Sequence, residues 1–134
     1  MRMILLTACL LCVAGCDMMV APWQLSDLRH KARQPVTCET GKDCDEKWAR
    51  ALQWVKRKSK LPIATQSGSL IKTAPSANLN SDPAFTITKA AAGDTTYRID
   101  FAADCDDGFG CTPPILKLKA SFVEFVTGTS QKIQ

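Results

Sequence analysis

Residues 43–58, DCDEKWARALQWVKRK, have the pattern of an amphipathic helix, around which the other elements of the domain can be placed. Apolar side chains recur at the i, i+3, i+4 and i+7 positions of a helical repeat, at Trp48, Ala51, Leu52 and Val55. The basic run Lys56–Lys58 suits the carboxyl end of a helix, where the dipole favours cations. Pro62 prevents the helix from continuing, so we predict a helix from about Cys44 to Lys60.

Two further features of this helix can be read from the same stretch. Asp43 or Asp45 can cap the amino end, because an aspartate oxygen accepts a hydrogen bond from the free N–H groups of the first turn. Trp54 lies off the main apolar stripe. We therefore expect Trp54 to cover the edge of the core or to stay partly exposed.

After Pro62 the apolar pattern changes from a helical period to a period of two. Residues 63–73 alternate as one long strand, although Gly68 suggests a bulge and a Ser-Gly turn there would split the segment into a hairpin. Residues 74–83 have the composition of a loop. Residues 85–88 and 96–101 alternate apolar and polar side chains around a turn at 91–94, which predicts an antiparallel hairpin.

A second helix is predicted from about Pro113 to Val126. Apolar residues recur there at helical spacing after a preferred helix start, at Ile115, Leu118, Phe122 and Phe125. We expect residues 128–134 to form a mobile tail. The predicted fold class is α+β: a two-layer α/β sandwich in the order α-β-β-β-α, with a three-stranded antiparallel sheet and both helices on one face.

Four cysteines of the predicted domain form two pairs with the spacing C-x5-C. Four cysteines allow three disulfide connectivities. We favour Cys38–Cys44 and Cys105–Cys111, because each pair encloses turn-forming residues and closing a short loop costs little entropy. A zinc site is the alternative, but structural zinc sites usually space their cysteines by two to four residues.

The amino terminus has the pattern of an export signal. Met1-Arg2 provides a positive start, residues 3–12 are almost entirely apolar, and Val13-Ala14-Gly15 places small residues directly before Cys16. This segment resembles the signal peptide and lipobox of bacterial lipoproteins, over residues 1–17 only. We recognise no family for the rest of the chain.

The resemblance implies that residues 1–15 are removed and that Cys16 is lipidated, which would attach the protein to a membrane of the cell envelope, facing the periplasm. Asp17 after the lipidated cysteine resembles an inner-membrane retention signal. We predict a tether at 16–37, with at most a helical turn at 25–32, and one disulfide-containing domain at 38–127. An oxidising compartment agrees with the paired cysteines.

Catalytic and metal motifs are missing or incomplete in the sequence. The one histidine, His30, falls in the predicted tether, so a Ser-His or Cys-His pair inside the domain is excluded. Ser69 and Lys72 match the S-x-x-K pattern, but in a predicted strand, where residues three apart point to opposite faces. The acidic run from Asp104 lacks the Glu at the twelfth position of an EF-hand, which here is Ile115. We therefore expect neither an enzyme nor a bound cofactor or metal.

Binding surfaces are the remaining source of function. A formal net charge of +4 is too small to indicate nucleic-acid binding. Two surfaces are candidates for a protein partner: the acidic disulfide loop with Asp104, Asp106, Asp107 and Phe109, and the open sheet face with Thr86, Thr88, Arg98 and Asp100. We expect a non-enzymatic periplasmic module for binding or assembly. The alternative is a periplasmic inhibitor of a hydrolase, and a third, weaker hypothesis is an enzyme or metal protein that uses the acidic loop.

Overall fold

The computed structural model describes residues 21–129, which form three helices and one five-stranded sheet. The elements in chain order are α1 (Pro22–Arg33), β1 (Val36–Glu39), α2 (Lys42–Lys58), β2 (Ile63–Gln66), β3 (Leu70–Thr73), β4 (Ala84–Ala91), β5 (Thr96–Asp104) and α3 (Ile115–Thr127). The strands are antiparallel, in the spatial order β1-β5-β4-β3-β2. The predicted leader, Cys16, Asp17 and residues 130–134 lie outside the described residues.

The predicted α+β class is confirmed, but the sheet has five strands where we predicted three. Residues 63–73 form the hairpin β2–β3 instead of one long strand. The Ser67 hydroxyl explains the turn between them, because it accepts hydrogen bonds from the main-chain N–H groups of Ser69 and Leu70 at 3.3 and 3.1 Å. A side chain that bonds the main chain locally in this way competes with an extended strand.

The other additional strand, β1, lies in a segment that we divided between the tether and the start of the domain. Val36 and Cys38 are buried and Thr37 and Glu39 are exposed, as in a strand with one face on the core. The register pairs Val36 with Ile99 on β5. The element order is therefore α-β-α-β-β-β-β-α, and the predicted order α-β-β-β-α is wrong in this detail.

Helix α1 also replaces most of the predicted tether. We expected at most a helical turn there, whereas the structure has twelve helical residues that pack against α3 and bury Ala32. The Lys31 ammonium joins the two helices, at 2.8 Å from a carboxylate oxygen of Glu124, and it also lies 2.9 Å from Asp27. The hydrogen bonds to Glu124 and then to Asp27 raise the pKa of Lys31 to about 12. The charge that joins α1 to α3 is therefore present at every physiological pH.

The core lies between the sheet and the pair α2 and α3. Trp54 is at its centre and is 2 % exposed, so our expectation of an edge position was wrong. Its ring meets Phe85, Phe101 and Phe122 edge-on, with ring centroids 5.1 to 5.6 Å apart. Helix α2 contacts both the sheet and α3, which widens its buried face beyond the stripe seen in the sequence. The Trp54 indole N–H donates to the Ser121 hydroxyl at 3.1 Å.

Both predicted helices are confirmed, and each of their ends agrees with the structure to within two residues, but the capping differs. Gly41, at a φ of 98°, is the N-cap of α2, a conformation that glycine adopts without strain. Asp43 lies in the first turn instead, where it accepts a hydrogen bond from the Glu39 N–H at 2.9 Å. Gly128 ends α3 in the left-handed conformation, so the first residues of the predicted tail form its cap.

Candidate functional site

The loop that follows β5 presents one fully exposed aromatic side chain. The disulfide Cys105–Cys111 closes this loop, and Cys38–Cys44 closes the other, so both predicted disulfides are confirmed. Inside the loop the Asp107 carboxylate accepts a hydrogen bond from the Phe109 N–H at 2.9 Å, and the Asp107 carbonyl accepts one from Gly110 N–H at 3.0 Å. The turn places the Phe109 side chain at 102 % relative exposure, fully in solvent. We refer to residues 105–111 as the acidic loop.

A second loop, residues 74–83, supports the acidic loop from the side. The Asp106 carboxylate accepts a hydrogen bond from the Leu79 N–H at 3.0 Å, and the Asp106 N–H donates to the Ser76 hydroxyl at 3.2 Å. Thr112 N–H donates to the Ser81 carbonyl at 3.0 Å just after the disulfide. These three bonds tie the loops together on both sides of Cys105–Cys111. Asp106 therefore holds the acidic loop against the supporting loop.

Leu79, at the tip of the supporting loop, is 79 % exposed and has a φ of 54°. A non-glycine residue rarely adopts such a φ, and here the Asp106 bond to the Leu79 N–H holds it. Leu79 and Phe109 thus give two exposed apolar side chains on one pair of connected loops. We did not predict a role for Leu79, although it is an isolated leucine in a stretch of Ser, Asn, Asp and Pro.

The surroundings of these two apolar side chains are acidic. Asp104 and Asp106 are exposed and Asp107 is half-buried. Asp82, at the end of the supporting loop, forms an ion pair of 3.0 Å with Lys60, and the hydrogen bonds from Lys60 and then from Asn80 lower the pKa of Asp82. The Lys60 ammonium compensates the charge of Asp82, which leaves the charges of Asp104, Asp106 and Asp107. We call this arrangement the platform. The exposed side chains of Leu79 and Phe109 form its apolar tip, and Asp104, Asp106 and Asp107 form its acidic rim.

The second predicted surface, the sheet face turned away from α2 and α3, is polar as expected. Thr86 lies opposite Ala102, and Thr88 lies opposite Asp100 in the register. The Arg98 Nε donates to both carboxylate oxygens of Asp100 at 2.9 Å, so the two charges compensate each other. This face therefore offers threonine hydroxyls, a neutralised pair and single opposite charges at Lys72, which lies opposite Thr86, and at Asp104, so its net charge is small.

The structure brings Asp104, Asp106, Asp107 and Phe109 together at one end of the sheet, because β5 runs directly into the acidic loop. Arg98 and Asp100 lie further back along β5, on the same face of the sheet as Asp104. The two predicted surfaces are consequently continuous through β5.

Two motifs considered in the sequence take ordinary structural positions. Ser69 precedes β3 and its carbonyl accepts a hydrogen bond from Lys89 N–H at 2.9 Å, while Lys72 is exposed on β3. His30 is exposed on α1, with Gln34 Nε2 at 3.2 Å from its ring nitrogen. Within residues 21–129, no three side chains of His, Cys, Asp or Glu converge as metal ligands would. In the same part of the chain, no helix has the length and apolar character needed to cross a membrane.

Comparison of the chain with protein-family models, with curated protein sequences and with solved structures gives no match.

Proposed function

We propose that this protein is a non-enzymatic cell-envelope lipoprotein that docks a periplasmic protein partner through the acidic loop. The observation that carries the proposal is the Phe109 side chain, which is fully exposed at the tip of a disulfide-closed turn. Exposing an aromatic ring to water is unfavourable, and aromatic side chains are enriched where protein interfaces have their energetic centre. The rigid turn reduces the entropy that ordering Phe109 would otherwise cost on binding.

The acidic rim narrows the chemistry of the partner. Asp104, Asp106 and Asp107 lie in or directly before the loop that carries Phe109, so the complementary surface is an apolar pocket with lysine or arginine at its edge. Opposite charges around a small apolar contact increase the rate of encounter and reject acidic competitors. The same charges disfavour direct insertion of the loop into an anionic lipid surface.

The envelope location is part of the proposal and rests on residues 1–17. Replacing Cys16 with Ala should leave an unprocessed precursor, because the lipobox cysteine is the residue modified before cleavage in lipoproteins. Mass spectrometry of the membrane fraction would find an acylated Cys16 as the mature amino terminus in the wild type. A soluble mature chain that begins at another residue would refute the anchor.

The binding function is tested by chemical crosslinking in intact cells followed by purification of the protein. We expect one envelope protein at stoichiometric amounts, lost in a Phe109→Ser variant and retained in an Arg98→Glu variant. A partner retained in Phe109→Ser but lost in Arg98→Glu would indicate that the contact lies on the open sheet face. Retention in both variants would remove both surfaces from the proposal.

An inhibitor of a hydrolase is the second candidate, and the same loop geometry supports it. A short loop closed by a disulfide and bonded to a neighbouring loop keeps its shape when it enters a cleft. The crosslinked partner distinguishes the two: a hydrolase whose activity falls on addition of the purified protein favours inhibition, and a structural or transport component favours assembly.

A further inference from the structure

Strand β5 is longer than the strand that pairs with it on one side. It runs over nine residues, Thr96–Asp104, and β4 pairs with it from Tyr97 to Asp104. On its other side, β1 pairs only with Thr96–Ile99. In the part of the chain that the structure describes, no strand pairs with Asp100–Asp104 on that side. We call this segment the free edge.

The direction of the main-chain groups on the free edge follows from the alternation of the ladder. The Thr95 carbonyl accepts a hydrogen bond from Thr40 N–H on the β1 side, whereas the Thr96 carbonyl accepts one from Ala92 N–H on the β4 side. Main-chain groups of successive residues in a strand point to opposite neighbours. The N–H and C=O groups of Phe101 and Ala103 therefore point outward at the free edge.

A cleft of about 280 Å³ opens beside Val36, the first residue of β1, where the free edge begins. It lies between the connection from α1 to β1, strand β5 and α3, and its lining includes Arg33, Gln34, Pro35, Phe101 and Lys119. Pro35 precedes β1, which begins only at Val36. In the described part of the chain, no strand therefore extends β1 alongside β5 past Val36.

The two ends of the free edge differ in the sign of the charges beside them. Arg33 and Lys119 line the cleft at one end. Asp104 is exposed at the other end and leads into the acidic loop. Arg98 and Asp100 also line the cleft, and they compensate each other in a 2.9 Å ion pair. A strand added antiparallel to β5 would place its carboxyl end at the two cations and its amino end at Asp104.

A second copy of this chain fits the free edge poorly. Two copies of β5 that pair antiparallel about Ala102 would place Asp100 of each copy directly opposite Asp104 of the other. Like charges opposite each other on neighbouring strands are unfavourable. The acidic residues thus act against edge-to-edge association of identical chains, as charged residues on sheet edges commonly do.

We propose that the free edge of β5 binds the extended carboxyl-terminal segment of a partner protein as a sixth, antiparallel strand. The terminal carboxylate lies in the cleft near Arg33 and Lys119, and apolar side chains at alternate positions lie beside Phe101 and Ala103. A basic side chain three residues before the last residue lies opposite Asp104. Main-chain bonds to Phe101 and Ala103 supply affinity, and the charges select the direction. This site does not depend on the acidic loop as a docking surface.

The probe is a labelled synthetic peptide of sequence Gly-Ser-Lys-Val-Thr-Val with a free carboxylate, added to the purified full-length chain. We expect binding in fluorescence anisotropy, and slower hydrogen exchange at the N–H groups of Phe101 and Ala103, which exchange fast without the peptide. The Ala102 N–H, already bonded to β4 by the same alternation, keeps its rate. The carboxamide form of the peptide should bind roughly tenfold more weakly, because a charge-assisted contact is lost.

Variants of the chain separate the parts of the site. Asp104→Lys should weaken binding roughly fivefold, and Lys119→Ala by a similar factor, as expected for partly exposed ion pairs. Ala103→Pro should abolish it, because proline removes an outward N–H without breaking the ladder to β4. Asp94→Lys, the same charge change in the exposed turn between β4 and β5, is the matched control and should bind normally. Phe109→Ser should also bind normally, which separates this site from the proposed docking loop.

Several results would overturn the proposal. One is a peptide that fails to bind, and another is binding that is unchanged by both Asp104→Lys and the carboxamide. Slow exchange at Phe101 and Ala103 before any peptide is added would mean that the edge is already occupied. Loss of that protection on dilution would then identify a second copy, and loss on deletion of residues 130–134 would identify the chain's own terminus.

Discussion

The Asp106 carboxylate accepts a hydrogen bond from the Leu79 main-chain N–H at 3.0 Å, across 27 residues of sequence. This bond joins the acidic loop to the supporting loop, and it holds Leu79 at a positive φ. It gives Asp106 a structural role next to its part in the acidic rim. A charge-reversing substitution at Asp106 would therefore change the shape of the platform as well as its charge, and binding tests are better carried out at Phe109.

Replacing Asp106 with Ala should loosen the supporting loop without unfolding the domain. The Leu79 N–H loses its acceptor, so its hydrogen exchange should become roughly fivefold faster, as expected for loss of one hydrogen bond. Asp94→Ala, in an exposed turn, is the matched control and should leave the Leu79 rate unchanged. An unchanged rate in the Asp106 variant would show that the bond does not restrain the loop.

The two disulfides should differ in how easily they are reduced. Cys38 and Cys44 are 2 % and 4 % exposed, whereas Cys105 and Cys111 are only half-buried. Attack on a disulfide requires access of a thiolate to sulfur. Brief treatment of the folded protein with a thiol, followed by alkylation and peptide mapping, should label Cys105 and Cys111 first. Equal labelling of both pairs would contradict this ordering.

The hydrogen bond between Trp54 and Ser121 should contribute measurably to stability. Ser121→Ala leaves the indole N–H of a buried ring without its partner, and we expect a loss of about 1 kcal/mol in the free energy of unfolding. The same substitution should cost clearly less in a Trp54→Phe background, where no N–H is left to satisfy. Chemical denaturation of the four proteins measures this difference. Equal costs in the two backgrounds would show that Ser121 acts through packing alone.

Asp43 should make part of the folding stability depend on pH. The Glu39 N–H and then the Lys47 ammonium hold the pKa of the Asp43 carboxyl below its ordinary value of 3.8. The native state thus favours the ionised form, and its contribution is complete above the unfolded pKa and is lost as the pH falls below it. Thermal unfolding from pH 6 to pH 2 should show the wild type losing its advantage over Asp43→Asn below about pH 4. A difference that stays constant over this range would contradict the assignment.

Local patterns predicted the elements that depend on neighbouring residues. The stripe of α2, the proline-initiated α3, the hairpin β4–β5 and both short disulfides are signals within a few residues, and the structure confirms them. In helix α1, Leu25, Leu28 and Ala32 also recur at helical spacing. The surrounding residues are mostly polar, so we predicted only one helical turn there. β1 is only four residues long, and so short an alternation is weak evidence by itself.

Features that depend on distant residues could not be derived in this way. The central position of Trp54 requires α3 to pack beside α2, and no periodicity within α2 contains that information. The contact between Asp106 and Leu79 and the free edge of β5 likewise depend on which segments meet in space. The sequence therefore indicated the acidic loop as a candidate surface without its second apolar residue or the edge beside it.

Photocrosslinking from position 109 tests whether Phe109 contacts a protein partner. A photoreactive phenylalanine analogue replaces Phe109 in the full chain, and the same analogue at Asp94, also exposed, serves as the control. After irradiation of intact cells, we predict one crosslinked product from position 109, with an envelope protein attached through residues of an apolar pocket edged with lysine or arginine. Crosslinks only to lipid, only to a second copy of this chain, or equally from both positions would contradict the account.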